Sequence, residues 1–244
     1  MSINTDFIKI LYPKYIDNIK LIRKQMMNRM SSKSMSPQFD DTESEITALL
    51  MLHFKPKNVI EFSPYTGWST NIILDTLNIN NNNAHLSSYD IHDKCLQNVK
   101  KIPQNVNWKF TKIDVKNKYK EFVNGDKIDY LFIDSDHSEN FATNYVNNLL
   151  IPLLEKCRLE NTKIIVSVHD VFHFSKKPSK EGEIVIKFLN TNNISYYTAN
   201  CLTDAYKEIM VTKINLGIDK IILKSWGNTL LKDQSNSCIF FILS

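Results

Sequence analysis

The sequence predicts an open α/β fold: a doubly wound, mostly parallel sheet of seven strands with helices on both faces, preceded by a helical extension. Three observations carry this reading. Short apolar runs alternate with helical patterns from residue 46 to about residue 190, as βαβ units around a parallel sheet require. Four successive strands end on a carboxylate: Asp90, Asp114, Asp134 and Asp170. The first strand runs into a tight turn and a helix start, Val59-Ile-Glu-Phe-Ser-Pro-Tyr-Thr-Gly-Trp-Ser-Thr70. In open α/β sheets that unit cradles a phosphate or a cofactor.

Residues 1–30 read as helical, because Ile8, Leu11, Tyr15, Ile19 and Ile22 recur at helical spacing. Pro13 divides the run into two pieces. The pattern suits an amphipathic extension lying on the main domain or on a second copy; a lid over the pocket is the sharper alternative. Ser31 to Asp41 is polar, contains Ser-Pro and reads as a linker. The chain therefore divides into an extension, 1–41, and a main domain, 42–244. Thr42-x-x-Glu45 has the form of a capping box ahead of Ile46, Leu49, Leu50 and Leu52.

Val59 to Phe62 is the first strand, and the Asn-rich stretch from Asn78 to Asn83 is an exposed turn. Leu86–Tyr89, Trp108–Ile113, Ile128–Ile133 and Lys163–Val168 are the next four strands, the last ending at His169-Asp170. Asp93–Val99, Tyr119–Val123 and Asn140–Leu154 are the helices between them. Beyond lie a helix over Glu183–Leu189, a strand over Ile194–Tyr197, a helix over Thr203–Leu216 and a closing strand over Ile239–Leu243.

The 244 residues, 43% of them apolar, suit one large domain. No window approaches the ~18 continuous apolar residues of a membrane span. Residues 1–20 lack a signal-peptide apolar core. Cys95, Cys157, Cys201 and Cys238 form no CxxC pair, which argues against a disulfide framework or structural zinc and for a reducing, cytoplasmic setting. The net charge of +4 is spread among interspersed acids and bases. No dense basic stripe points to nucleic acid.

In a parallel sheet the strand-end carboxylates share one rim, where ligands bind. Some of them can equally cap the helices that follow, Asp114 among them. Asp90 lies 23 positions beyond Gly67, the spacing at which a carboxylate meets two ribose hydroxyls. The turn lacks the glycine triplet of a dinucleotide site, and Pro64 removes an amide donor. A ligand with a ribose, no phosphate and an amino-acid tail fits it better.

Glu61-Phe-Ser-Pro-Tyr-Thr-Gly-Trp-Ser-Thr70 resembles the E-x-G-x-x-x-G-x-S-T signature of class I S-adenosylmethionine-dependent methyltransferases. Phe132-Ile-Asp-Ser-Asp-His-Ser138 and Ile165-Val-Ser-Val-His-Asp170 resemble the segments that end strands four and five in their small-molecule O-methyltransferases, the macrolide-sugar branch included. The resemblance spans roughly residues 42–190 and implies a Rossmann-like sheet. It implies that Glu61, Ser63, Tyr65, Gly67 and Ser69 line the methionine part of S-adenosylmethionine. Asp90 would then bind the ribose, Ile91 would pack on the adenine, and Asp114 would sit by its amino group. Asp134 would stand beneath the sulfonium, with His169 and Asp170 facing the acceptor.

Ser63 stands where the signature has its first glycine. The Asp-Asn pair of the catechol-type metal enzymes is replaced by His169-Asp170, so a metal is optional on this reading. His137 and His169 are candidate general bases. Asp134, His169 and Asp170 can equally ligate magnesium or manganese. His173 reads as a loop or packing histidine. The loop from Val171 to Gly182 is a candidate cover for the acceptor. The expected activity is methyl transfer to a hydroxyl of a small molecule, with a homo-oligomer built on the N-terminal helices. The rival readings are a cofactor-binding module without catalysis and a nucleotide-dependent oxidoreductase.

Overall fold

The structure is a computed structural model that describes residues 2–30, 34–37, 40–125, 127–134, 136–172, 177–224, 230–231 and 237–244. Five parallel strands form the frame: β1 (Asn58–Phe62), β2 (Ala84–Asp90), β3 (Val106–Lys112), β4 (Tyr130–Ile133) and β5 (Ile164–Phe172). β6 (Tyr196–Thr198) and β9 (Ser237–Leu243) complete the sheet, with β9 antiparallel to both β5 and β6. The order is β3-β2-β1-β4-β5-β9-β6. A separate ribbon pairs β7 (Leu223–Lys224) with β8 (Leu230–Leu231). The predicted doubly wound, mostly parallel seven-stranded sheet is what the chain forms.

Alternation along the strands divides the core into two. Val59, Tyr130 and Phe132 face one layer, while Ile60, Phe62, Leu131 and Ile133 face the other. The first layer holds α1 (Thr5–Lys14), α2 (Ile16–Arg29), α3 (Asp41–Phe54), α4 (Trp68–Asn80) and α9 (Asp204–Asn215). The second holds α5 (Tyr119–Asn124), α6 (Glu139–Tyr145), α7 (Ile151–Glu160) and α8 (Lys180–Thr191). Trp68 is among the largest fully buried side chains and packs in the core.

Two local expectations are corrected. The cap of α3 is Asp40, whose carboxylate accepts from the Glu43 amide at 2.9 Å. Thr42 lies inside the first turn, and its hydroxyl accepts from Lys213 instead. The single helix expected over Asn140–Leu154 is two helices joined by a π-helical turn, Val146–Leu150. Pro152 falls in the first turn of α7 and lacks an amide to donate, so the preceding turn widens.

The N-terminal helices are part of the core. Ile8, Leu11, Tyr12, Ile19, Ile22 and Met26 pack with residues of α3 and α4. Their outer face leaves Ile10 and Leu21 exposed. Beneath them lies a buried charge network. Lys213, fully buried, bonds Asp41 at 3.1 Å and Glu45 at 2.9 Å. Arg23 reaches the same two carboxylates and the Asp219 carbonyl, and Tyr12 donates to Glu45 at 2.8 Å. Such a network is costly to break, because removing one partner strands a desolvated charge. Lys213→Met is expected to destabilise the fold by about 3–5 kcal/mol, read as a lower urea midpoint.

Candidate active site

The strands are parallel, so the chain leaves β1, β2, β4 and β5 along one rim. The turn after β1 is unusual in its backbone. Ser63 (φ 58°), Tyr65 (φ 45°) and Gly67 (φ 88°) all lie in the left-handed region. Gly67 is required twice over, since a Cβ there would also meet Val99 Cγ2 at 2.8 Å. Ser63 holds a conformation that glycine adopts more cheaply. Its amide donates to the Tyr89 carbonyl at 2.7 Å, which ties the turn to β2.

Glu61 and Ser69, expected to line the methionine part of a cofactor, are turned into the protein. Ser69 donates to Glu61 at 2.6 Å, as do Ser88 at 2.6 Å and Thr70 at 2.8 Å. Glu61 thus clamps β1, β2 and α4 together from inside. Asp90 is also buried, and its carboxylate accepts from the amides of Tyr65 at 3.0 Å and His92 at 2.9 Å. Tyr65 is half-buried, with the Lys94 ammonium 4.7 Å from its ring centroid. Ile91 is exposed. Asp114 caps the short helix after β3, accepting from Lys116 at 3.0 Å, and pairs with the Lys116 ammonium at 3.2 Å. That is its capping reading.

The end of β5 is the decisive irregularity. Pairing with β9 shifts register between Val168 and Phe172, and Asp170 takes a φ of 61°. Consecutive strand residues ordinarily face opposite sides. The bulge re-aims them, and His169 and Asp170 end in one cluster. His169 Nδ1 lies 3.2 Å from Asp134 and 3.0 Å from Asp170. His137 Nε2 lies 3.0 Å from Asp170 and 3.8 Å from Asp134, and its Nδ1 lies 2.8 Å from Glu181. Tyr145 donates to the other Glu181 oxygen at 2.9 Å. On the far side, Glu43 comes within 3.8 Å of His169 Nε2.

Asp134, His137, His169 and Asp170 therefore converge. One ligand atom each from Asp134, His137 and Asp170 lies within 4.8 Å of the others. His137 joins the expected Asp134–His169–Asp170 set, and His169 Nδ1 also lies within ion-pair distance of both carboxylates. Burial opposes charge on His137, but hydrogen bonds to Asp170 and Glu181 prevail and push it up to about 10. Burial likewise opposes charge on His169, yet Asp170 and Asp134 hold it well above the usual imidazole range. The neighbouring carboxylates thus favour the charged form of both rings, which works against either acting as a base. His173 and the loop residues 173–176 lie outside the described residues, as does Ser135 in the motif after β4. Glu43 and Glu181 were not singled out from the sequence. Each stands in the first turn of a helix, where an acid ordinarily signals only a helix start.

Burial pushes the Glu61 carboxyl from its ordinary 4.5 up to about 7, against three hydroxyl donors that favour the ion. The folded state then binds more protons than the unfolded chain between those values, so stability falls as pH rises through that window. Glu61→Gln is expected to flatten this decline. The wild-type-minus-variant difference in unfolding free energy should shift by on the order of 3 kcal/mol between pH 4.5 and 8, measured by urea titration at each pH.

A family model described as a methyltransferase domain matches residues 61–171. That span begins at Glu61 and ends just past Asp170. Among solved structures, a candidate O-methyltransferase from Klebsiella pneumoniae is similar at 12% identity and a TM-score of 0.50, covering 91% of this chain and 90% of that one. A candidate caffeoyl-CoA O-methyltransferase from Staphylococcus aureus is similar at 12% identity and a TM-score of 0.50, covering 97% and 98%. No curated protein matches the sequence. Residues 61–171 are similar to a methyltransferase domain, and the chain shares the fold of these two O-methyltransferase structures.

Proposed function

We propose that this chain transfers the methyl group of S-adenosylmethionine to a hydroxyl of a small molecule, of sugar or secondary-metabolite type, with a divalent cation assisting. One observation carries the reading. Asp134, His137 and Asp170 converge at the ends of β4 and β5, beside the turn that follows β1. The pairing of Phe62 with Ile133 makes that turn and Asp134 immediate neighbours. A binding module without catalysis would not need His137, His169 and Asp134 to meet, so their convergence favours the enzyme.

The chemistry makes modest demands. The methyl carbon of a sulfonium is already electrophilic, so the protein must align the acceptor oxygen in line with it. It must also dispose of the hydroxyl proton. Two carboxylates and an imidazole are a donor set for a hard or borderline divalent ion, manganese suiting the imidazole better than magnesium. Asp134, His137 and Asp170 would hold it, and when bound it would acidify the acceptor hydroxyl. Glu181 and Tyr145 orient the His137 ring. Asp90 keeps lone pairs beyond the two that the amides use, and these suit ribose hydroxyls. Among the described residues no helix is long and apolar enough to cross a membrane.

S-adenosylhomocysteine is expected to bind in calorimetric titration. Asp90→Ala should weaken that binding roughly tenfold or more, the loss of one or two hydrogen bonds. His137→Ala should leave it nearly unchanged while lowering turnover roughly 10–100-fold, the cost of disturbing the cation's ligand shell. A chain that binds neither S-adenosylhomocysteine nor S-adenosylmethionine, with or without manganese, would overturn the reading.

A further inference from the structure

Behind the converging rim residues lies a second constellation, made by three elements. Glu43 comes from the first turn of α3, His169 from β5 and Cys238 from β9. The register that sets Val168 against Ile239 brings His169 beside Cys238. All three residues are buried, at 3%, 2% and 0% exposure, and one ligand atom from each lies within 4.8 Å of the others. The Cys238 amide donates to Glu43 Oε1 and fixes the carboxylate. Glu43 Oε2 is buried and has no hydrogen-bond partner among the described residues. It faces His169 Nε2 across 3.8 Å, too far for a hydrogen bond.

We propose that Glu43, His169 and Cys238 form a zinc-class metal site, distinct from the Asp134–His137–Asp170 set. Donors sharing one tetrahedral zinc sit roughly 3.3–3.6 Å apart, so the Glu43–His169 gap is already close to a bound geometry. A thiolate, an imidazole and a carboxylate select zinc or cobalt over magnesium or calcium. Glu43 lies against one nitrogen of the His169 ring and Asp134 and Asp170 against the other. Binding would replace the protons on the Cys238 thiol and on His169 Nε2. His169 Nδ1 would remain beside Asp134 and Asp170, at 3.2 and 3.0 Å. A metal-bound histidine commonly gives its second N–H to a carboxylate, which fixes tautomer and ring orientation. The ion would thereby hold the two rim carboxylates in place from behind.

Cobalt reports on this site directly, because only a thiolate ligand gives a near-ultraviolet sulfur-to-cobalt charge-transfer band. The full chain, stripped with a chelator and titrated with Co(II), is expected to develop that band and saturate. Cys238→Ser should abolish it, while Cys201→Ser and Asp134→Asn should leave it. Glu43→Gln keeps an acceptor for the Cys238 amide, so the band should persist with at least tenfold weaker cobalt affinity. Circular dichroism of each variant checks folding; if Cys238→Ser does not fold, the Glu43→Gln affinity decides. Cobalt binding without the band, a band that survives Cys238→Ser, or unchanged affinity in Glu43→Gln would overturn the proposal. The band does not require methyl transfer, so its presence in a chain that binds no S-adenosylhomocysteine would separate this site from the proposed activity.

Discussion

Carboxylates must be neutralised where the chain buries them, and the rest of this structure is arranged around that constraint. The carboxyl rim and the helix beneath it gather Asp40, Asp41, Glu43, Glu45, Glu61, Asp90, Asp170 and Glu181, all at or below 8% exposure. An isolated buried carboxylate is costly enough that it pairs, bonds or takes up a proton. Each of those answers appears here. Asp41 and Glu45 pair with Arg23 and Lys213. Glu61 takes hydroxyl donors and Asp90 takes amides. Asp40 is pushed up to about 8 by burial and by its acidic neighbours Glu43 and Asp41. Asp170 and Glu181 share His137.

This explains why the N-terminal helices are not an appendage. Arg23 is on α2, and Lys213 arrives from α9 near the other end of the chain. Without them the opening turns of α3 would bury Asp41 and Glu45 without a cation. Yet that same turn supplies Glu43 to the back of the rim cluster. The extension therefore acts on the candidate active site through electrostatics, by making it possible to place a helix start, with its acids, under the sheet. A buried ion pair adds little stability over an apolar replacement. Its value here lies in fixing where α3 begins.

The frame of the molecule was legible because apolar runs and strand-end acids are local signals. Asp90, Asp134 and Asp170 reach the rim simply by ending parallel strands. The cap of α3 was misread by two residues because Asp40 and Thr42 are both competent caps, and only the distant Lys213 settles the use of the Thr42 hydroxyl. The partners of the histidines were legible only in part: Asp134 and Asp170 were grouped with His169, but Glu43 and Glu181 were not. Glu181 lies 44 residues from His137, and no spacing rule relates them. Cys238 read as one of four scattered cysteines, since its neighbour across the sheet is set by the antiparallel return of β9. The bulge at Asp170 was hidden for a related reason. A left-handed aspartate is a property of the β5–β9 pairing, and the sequence Val-His-Asp-Val continues a strand pattern through it.

The bulge and the turn after β1 are the same device used twice. Each places a non-glycine residue in the left-handed region, Asp170 at one strand end and Ser63 and Tyr65 at another. Strain of this kind costs of order 1–3 kcal/mol per residue and persists only where neighbours over-determine it. The neighbours are visible in both cases. Tyr65 is held by its amide bond to Asp90 and Ser63 by its bond to the Tyr89 carbonyl. Asp170 is held by its carbonyl, which accepts from Ser179, and by its contacts with both histidines. The restraints are polar groups on β2 and the rim, so a ligand that engages Asp90 or Asp170 acts on the very bonds that keep the backbone strained. Binding and backbone geometry are therefore coupled at both ends of the site. A carboxylate already oriented by protein donors also meets its ligand with little further ordering cost.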